Sequence, residues 1–327
     1  DLTNANTVSV TGTTITVNAP SQSQWQYESG GWVYHMDVSA ILVDGASSVT
    51  LQNNTVSIAK SGVYVSGSSM PAITVRNGAS YVDVLDNTIS ASGAQYVYGV
   101  MMNDGVTHIN IKRNSVTSTG ELYVAGIDAS TTNDTVVSGN TITATSTYVN
   151  VPMYDGDESL AYGIICDEGN YLTNNTRNKI CSNTITISAN VTYGIEMYRG
   201  VNNMICSNTI TSNGHRAMGV SIAFTNYTNI VNNVIRTTKT GDDYQYFYEE
   251  ITPSNNGIKF TNQSNHNLVQ GNDVLTTSVG DSIVKSVNIT NATENTIQDN
   301  YLWISNAVGS YSFGKTWYIY GTPVECT

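Results

Sequence analysis

The hexapeptide Ile180-Cys181-Ser182-Asn183-Thr184-Ile185 occurs again, unchanged, at residues 205–210. Its underlying pattern is an aliphatic residue three positions before an Asn and another aliphatic residue two positions after it. This pattern occurs nine times, centred on Asn54, Asn87, Asn114, Asn140, Asn183, Asn208, Asn233, Asn272 and Asn300. Self-similarity at a period of roughly 20 to 50 residues is the sequence signature of a repeat architecture. The repeat therefore decides the fold.

A second unit precedes each of the first eight Asn, usually by 14 or 15 residues. It is a small residue followed by an aliphatic one, as in Gly163-Ile164 and Gly194-Ile195, and Ser282-Ile283 is the candidate for the ninth coil. The shortest interval between successive Asn is 25 residues, which fits one coil of three short strands. Leucine-rich repeats need Leu-rich positions and a helical segment, and propeller blades need about 40 residues. We predict an all-β, right-handed parallel β-helix, a solenoid of about nine coils.

Strand alternation indicates which positions face the core. The aliphatic positions around each Asn face inward, whereas the position two before the Asn faces outward, because Lys112 occupies it in one coil. The repeated Asn then turns inward at a bend, where stacked amides can hydrogen-bond from coil to coil. We interpret the nine Asn as scaffold residues and not as catalytic groups.

The extent of the repeat predicts three segments. An N-terminal β segment with a first loop covers residues 1–39, the β-helix covers 40–302, and a C-terminal β segment covers 303–327. Neither end contains an amphipathic helix that would serve as a cap, and an open β-helix end exposes unpaired backbone groups. Such ends can pair head to tail with another copy.

Composition excludes several classes of function. The net charge is −12, and an acidic surface repels nucleic acid. No apolar run approaches the roughly 18 residues that a membrane-spanning helix needs. We therefore expect neither a nucleic-acid partner nor a membrane span.

The four cysteines suit an extracellular setting. Cys181 and Cys206 occupy the same outward position in adjacent coils and are disulfide candidates, although in-register strands are slightly too far apart without adjustment. Cys326, one residue from the end, is a candidate for a crosslink between subunits. Cys166 is expected to point into the core.

Extra length is concentrated at one turn of the coil, in residues 145–161 and 236–255, and residues 25–35 occupy the same place before the first full coil. These loops are rich in aromatic residues and carboxylates, which is typical of sugar contact, Ca²⁺ coordination or a protein interface. The alternative is a solvated loop whose aromatic residues pack on the rod. The interface candidates are Trp25, Tyr27, Trp32, Tyr154, Tyr244, Tyr246, Phe247 and Tyr248.

Asp155, Asp157 and Glu158 are a weak candidate for Ca²⁺, since they lack the twelve-residue spacing of an EF-hand loop. The sequence indicates no other cofactor.

Parallel β-helices include polysaccharide lyases and hydrolases, so we looked for carboxylates on an outward strand face. Asp128 and Glu196 lie two coils apart, which is about 9.6 Å by strand spacing and near the upper limit for an inverting pair. Asp167 lies two positions beyond Ile165, the residue between them. Against an active site, the row also holds Leu42, Met101 and Val284, which looks more like an apolar interface. The sequence motifs of polygalacturonases and pectate lyases are absent, so we expect no enzymatic activity.

The repeated Ile-X-X-Asn-Thr-Ile unit, the Gly-Ile unit and the charge-poor composition rich in Asn, Thr and Tyr resemble β-helix surface proteins of methanogenic archaea. These include adhesin-like proteins and cell-sheath subunits, and the resemblance covers residues 40–302. It implies an extracellular structural or adhesive protein of the cell surface or envelope. Sheath proteins of this kind assemble into crosslinked polymers.

We therefore expect an envelope protein that self-assembles through its ends and edge loops, with copies of itself as partners. The alternative is a carbohydrate-active enzyme or glycan-binding adhesin that uses Asp128, Asp167, Glu196 and the long loops. Its partners would be cell-surface glycans.

Overall fold

The computed structural model describes residues 1–19, 38–60, 69–147, 159–167, 175–240, 254–279 and 283–307. It also describes the backbone of four short strands, Trp25–Glu28, Gly31–Tyr34, Trp317–Ile319 and Val324–Cys326. All regular elements in this part of the chain are β-strands. None of these residues forms a helix that is long and apolar enough to cross a membrane.

Three long sheets contain nearly all of the strands, and the chain visits them in a fixed order. The strands of the first sheet are Leu2–Thr3, Ile41–Asp44, Ser69–Arg76, Tyr96–Met102, Tyr123–Ala129, Leu160–Cys166, Val191–Tyr198, Arg216–Ala223, Ser254–Thr261 and Ile283–Ile289. Those of the second are Asn6–Thr11, Ser47–Gln52, Ser80–Leu85, Thr107–Lys112, Val136–Ser138, Lys179–Cys181, Met204–Cys206, Asn229–Val231, Leu268–Gln270, Asn295–Gln298 and Val324–Cys326. Those of the third are Thr14–Ala19, Thr55–Lys60, Thr88–Ser92, Ser115–Gly120, Thr141–Ser146, Thr184–Ser188, Thr209–Gly214, Val234–Lys239, Asp273–Val279, Asn300–Ala307 and Trp317–Ile319.

Two small pairs complete the description. Asn175–Thr176 pairs parallel with Gly200–Val201, and Trp25–Glu28 pairs antiparallel with Gly31–Tyr34.

Successive coils stack in register. Ile142 lies beside Ile185 and Ile185 beside Ile210 in the third sheet, so like residues meet along the axis. These side chains are at most 1% exposed and belong to one core that runs along the rod. The predicted parallel β-helix is confirmed. Each sheet has ten parallel strands, one more than the nine Asn indicate, because residues 2–19 already form a coil that pairs with Ile41–Lys60.

The C-terminal end differs from the open end that the sequence predicts. The strand Trp317–Ile319 pairs antiparallel with residues 300–302, and Val324–Cys326 pairs antiparallel with residues 295–297. These two strands cover the last parallel strands of the second and third sheets, so neither of those edges is open.

The nine repeated Asn form a continuous ladder at the bend between the second and third sheets. From Asn54 to Asn272, each side-chain amide donates to the next ladder Asn, as Asn183 Nδ2 does to Asn208 Oδ1 at 3.0 Å. It also donates to a backbone carbonyl, that of Val137 at 2.9 Å, and its oxygen accepts the backbone N–H of Asn140 at 3.0 Å. All nine side chains are buried. The residue before each of them has a positive φ, which turns the chain inward.

A second ladder lies at the bend between the first and second sheets. Asn178 donates its backbone N–H to Asn203 Oδ1 at 2.8 Å, and Asn267 Nδ2 donates to Asn295 Oδ1 at 3.0 Å. Sequence analysis missed it because it is interrupted. Thr135 occupies the equivalent place in one coil and donates its backbone N–H to Asn178 Oδ1.

The Gly unit is explained by a close approach between sheets. A Cβ on Gly163 would lie 2.2 Å from Ile185 Cγ2, and one on Gly194 would lie 2.3 Å from Ile210 Cγ2. The isoleucine in each case follows a ladder Asn by two positions. The Gly unit and the Asn unit therefore recur together because their residues pack against each other. In the last coil this place belongs to Ser286, which faces Gly257, and not to the predicted Ser282.

Cys181 and Cys206 form a disulfide between adjacent coils, and Cys166 is a buried free thiol. The side chain of Cys326 lies outside the described residues. A disulfide within the rod is typical of proteins in an oxidising compartment and supports an extracellular or secreted location.

We predict that Asn208→Ala lowers the free energy of unfolding by roughly 2 to 4 kcal/mol, since it leaves buried donors and acceptors of the neighbouring coils unpaired. Urea unfolding followed by circular dichroism measures this change. Thr209→Ala is the matched control, because Thr209 is exposed and should change stability by no more than about 0.5 kcal/mol. Equal stability of the two variants would contradict a structural role for the ladder.

Candidate functional site

The candidate carboxylates lie on the outer surface of the first sheet, which we call the first-sheet face. It is formed by the outward side chains of the strands from Tyr96–Met102 to Ile283–Ile289. The register places Asp128, Ile165 and Glu196 side by side in successive coils. Asp167 follows the middle strand, and its backbone N–H donates to Ser130 Oγ at 3.1 Å. The three acidic residues therefore lie close together in three successive coils.

Asp128 is half-buried and held by Ser130. Its Oδ1 accepts the backbone N–H of Ser130 at 3.0 Å and also the Ser130 hydroxyl. Burial raises the pKa of Asp128 to about 6, although the bonds from Ser130 act in the opposite direction, and the charge of Asp167 adds to the increase. Ser130 thus bridges Asp128 to the backbone of the next coil and fixes its orientation.

Glu196 is the more strongly perturbed carboxyl group. Burial raises its pKa to about 8, the charge of Asp167 adds to the effect, and Lys259 partly offsets it. At neutral pH Glu196 is therefore mostly protonated, whereas Asp128 is mostly ionised. Two titratable groups whose environments push their pKa values apart are suited to act as an acid and a base.

A ladder of tyrosines runs along the same face. Ring centroids are 5.6 Å apart for Tyr98 and Tyr123, 4.9 Å for Tyr123 and Tyr162, and 5.1 Å for Tyr162 and Tyr193. With Ala125, Leu160 and Ile165 they form a small apolar cluster outside the main core. Burial raises the pKa of Tyr98 and Tyr193, and the charges of Asp128 and Glu196, respectively, add to this. The hydroxyl groups therefore stay neutral and can donate hydrogen bonds.

The row beyond the carboxylates is polar. Ser221 follows Glu196 in the next coil, and Lys259 follows Ser221. Val284 does not belong to this row, because the register places Asn288 beside Lys259. Our interpretation of the row as an apolar interface was therefore wrong.

Most of the other candidates fall outside the described side chains. Trp25, Tyr27 and Trp32 lie on strands of which only the backbone is described. Tyr154, Tyr244, Tyr246, Phe247 and Tyr248 lie outside the described residues, and so do the Ca²⁺ candidates Asp155, Asp157 and Glu158. Within the part of the chain that is described, no group of three or more His, Cys, Asp or Glu side chains is arranged to hold a metal ion.

Comparison with protein-family models gives no match, and comparison with curated proteins gives none either. Among solved structures, the periplasmic alginate epimerase AlgG is similar, with a TM-score of 0.51 and 15% identity over 79% of this chain and 54% of that one. A mutant of the same epimerase gives a TM-score of 0.50 at 14% identity, over 78% of this chain and 54% of that one. DFA-IIIase from Arthrobacter chlorophenolicus without its lid gives 0.44 at 14% identity, over 81% and 67%.

The chain thus spans about half the length of the epimerase. At this identity the likeness shows the fold alone, and it confirms the right-handed parallel β-helix. The similar structure AlgG is nevertheless named as an enzyme, which contradicts our expectation that the chain is not one. That expectation relied on the apolar members of the outward row and on the absence of polygalacturonase and pectate lyase motifs, and the row also contains Ser221 and Lys259.

We predict that Glu196→Gln stabilises the protein increasingly as the pH rises from about 5 to about 9. Since the pKa of Glu196 in the folded state is about 8, above its ordinary value, the folded state holds a proton that the unfolded state releases in this window. The wild type therefore loses stability with rising pH, and a glutamine cannot. Thermal unfolding of both proteins across this range measures the difference.

Asp86→Asn is a control of opposite sign. Hydrogen bonds from Arg113 lower the pKa of Asp86, so its stabilising contribution is already complete above about pH 4. This variant should be destabilised by a constant amount from pH 5 to pH 9. A constant difference for Glu196→Gln as well would argue against a raised pKa at that residue.

Proposed function

We propose that this protein is a carbohydrate-active enzyme that cleaves glycosidic bonds on the first-sheet face. The observation that carries the proposal is the pair Asp128 and Glu196, two carboxyl groups in one row whose pKa values lie on either side of neutrality. Glycoside hydrolysis needs one protonated and one ionised carboxyl group flanking the scissile bond.

Glu196 is the general acid in this proposal. Its proton goes to the glycosidic oxygen as the bond to the anomeric carbon breaks. Burial, assisted by the negative charge of Asp167, keeps Glu196 protonated. Asp128 is the general base, which takes a proton from the attacking water. Ser130 is a positioning residue, because it holds Asp128 through two hydrogen bonds.

The spacing favours inversion at the anomeric carbon. Two coils separate Asp128 from Glu196, which is about 9.6 Å between strands. Inverting enzymes separate their carboxyl groups by roughly 6.5 to 9.5 Å to leave room for water, so the strand spacing here lies at the upper limit of that range. Retaining enzymes need about 5 Å. Ile165 lies between the two carboxyl groups and forms an apolar floor for the sugar ring.

The tyrosine ladder supports sugar binding through its edges. Tyr162 and Tyr193 stack almost parallel, with 6° between their planes, so each ring covers a face of the other. A bound sugar therefore meets ring edges and hydroxyl groups beside the carboxylates, a mixture of apolar surface and hydrogen-bond donors that suits carbohydrate. AlgG is named for its action on alginate, a polysaccharide, on the same architecture. The disulfide supports a glycan substrate outside the cytosol.

We predict that Asp128→Asn and Glu196→Gln each lower kcat/KM by roughly 100-fold or more on any polysaccharide that the wild type cleaves, because each removes a proton-transfer group. A panel of neutral and acidic polysaccharides with a reducing-sugar readout identifies the substrate. Asp83→Asn is the matched control, since Asp83 lies on the second sheet and accepts a hydrogen bond from Asn110. Unchanged activity in both site variants would refute this function.

We predict a bell-shaped pH profile with limbs near 6 and 8. Activity rises as Asp128 ionises and falls as Glu196 loses its proton. Asp128→Asn should remove the acidic limb from any residual activity, and Glu196→Gln the alkaline one. NMR of the first products should show an inverted anomer, and a retained anomer would exclude the assignment of Asp128 as the base.

A further inference from the structure

The first-sheet face changes its charge along the rod. The carboxylate coils end at Glu196, and the next three coils carry Arg216, Lys259 and Lys285. Lys259 lies in the row of Glu196, two coils further on and about 9.6 Å away by strand spacing, with the small side chain of Ser221 between them. An acidic half and a basic half therefore adjoin on one face.

The two lysines converge on the same place. Lys285 Nζ donates to Asn288 Oδ1 at 3.2 Å, and Asn288 is the register partner of Lys259 in the adjacent coil. The ammonium group of Lys285 thus reaches over to the position beside Lys259. Arg216 lies near enough for its charge, together with that of Lys285, to act on Lys259.

Lys259 and Lys285 differ from four arginines elsewhere on the rod. Arg76, Arg113, Arg177 and Arg236 each pair with an aspartate, at distances of 2.5 to 2.9 Å. Across the described residues, by contrast, neither Lys259 nor Lys285 has a carboxylate within salt-bridge distance.

Lys259 is half-buried, and the pKa of its ammonium group is lowered by burial and by the neighbouring cations, although Glu196 opposes this. A partly desolvated ammonium group beside two like charges is unfavourable on its own. An anion bound between Lys259 and Lys285 would relieve both the desolvation and the repulsion.

We propose that Lys259 and Lys285, with Arg216, form a subsite for an anionic substituent of a glycan, a carboxylate or a sulfate. The assignment of this subsite to the active face rests on the proposed function. In that case the charged group is carried on the sugar unit next to the one bound at Glu196. The acidic half of the face then repels an anionic sugar unit from the cleavage point. The basic half binds that unit and so fixes the direction of the glycan along the rod.

The test is binding, which does not depend on turnover. The full chain is titrated with two pairs of polymers, polygalacturonate against its methyl ester and dextran sulfate against dextran, by isothermal titration calorimetry. The first pair probes carboxylate and the second probes sulfate. Since the chain carries a net charge of −12, general attraction to polyanions is not expected, and tight binding requires a local cationic site.

We predict that at least one charged polymer binds about tenfold more tightly than its neutral counterpart, and that added salt weakens this binding. Lys259→Met with Lys285→Met should remove the preference. The matched control is Lys112→Met with Lys179→Met, which makes the same change in net charge on the second sheet. It should leave the preference intact.

Equal binding within both pairs, no binding of any polymer, or an equal loss in the control would overturn the proposal. Glu196→Gln separates the two hypotheses. If it abolishes cleavage and keeps the charge preference, both stand. If cleavage is unchanged while the preference is lost only in the Lys259 and Lys285 variant, the subsite stands and the proposed function fails.

Discussion

The buried asparagine ladder is the interaction on which the rest of the structure depends. Each ladder Asn uses its amide nitrogen and its oxygen between coils, as Asn208 does with Asn183 on one side and Asn233 on the other. A shift of one residue in any coil would leave these buried groups unpaired, which costs free energy. The ladder therefore locks the register of every coil to the next, although the coils differ in length.

Locked register has a direct electrostatic consequence. Side chains at equivalent positions stack at intervals of about 4.8 Å along a row, so like charges in adjacent coils of one row lie close together. Elsewhere on the rod, repulsion is avoided because opposite charges lie in adjacent coils, as in the pairs Arg113–Asp86 and Arg177–Asp134. On the first-sheet face the repulsion remains, because Asp128, Asp167 and Glu196 follow one another in adjacent coils. The raised pKa values of Asp128 and Glu196 are the expected response to burial next to like charge.

The parts of this arrangement that depend on local periodicity could be predicted from the sequence. The motif Ile180-X-X-Asn183-X-Ile185 predicts both the inward-facing aliphatic row and the bend at the Asn. The stacking of Asp128, Ile165 and Glu196 follows from counting residues along the repeat. Other parts depend on contacts between sheets or on burial and carry no such signal. The tyrosine ladder is an example, because Tyr123 approaches both Tyr98 and Tyr162 from a different position of its strand. The antiparallel strands at the C-terminus follow no repeat at all.

The same scaffold is compatible with the proposed site on this face. The Gly unit belongs to the first sheet, and a Cβ at Gly163 or Gly194 would clash with Ile185 or Ile210 of the third sheet. The first sheet is thereby held close to the core, and its outward residues are free to vary without affecting the nine-residue ladder at the bend between the second and third sheets. Different residues thus serve the two purposes. The buried amides stabilise the fold, and the outward row provides the residues of the proposed site. A destabilising cluster of carboxyl groups is tolerated here because the ladder supplies the register independently of it.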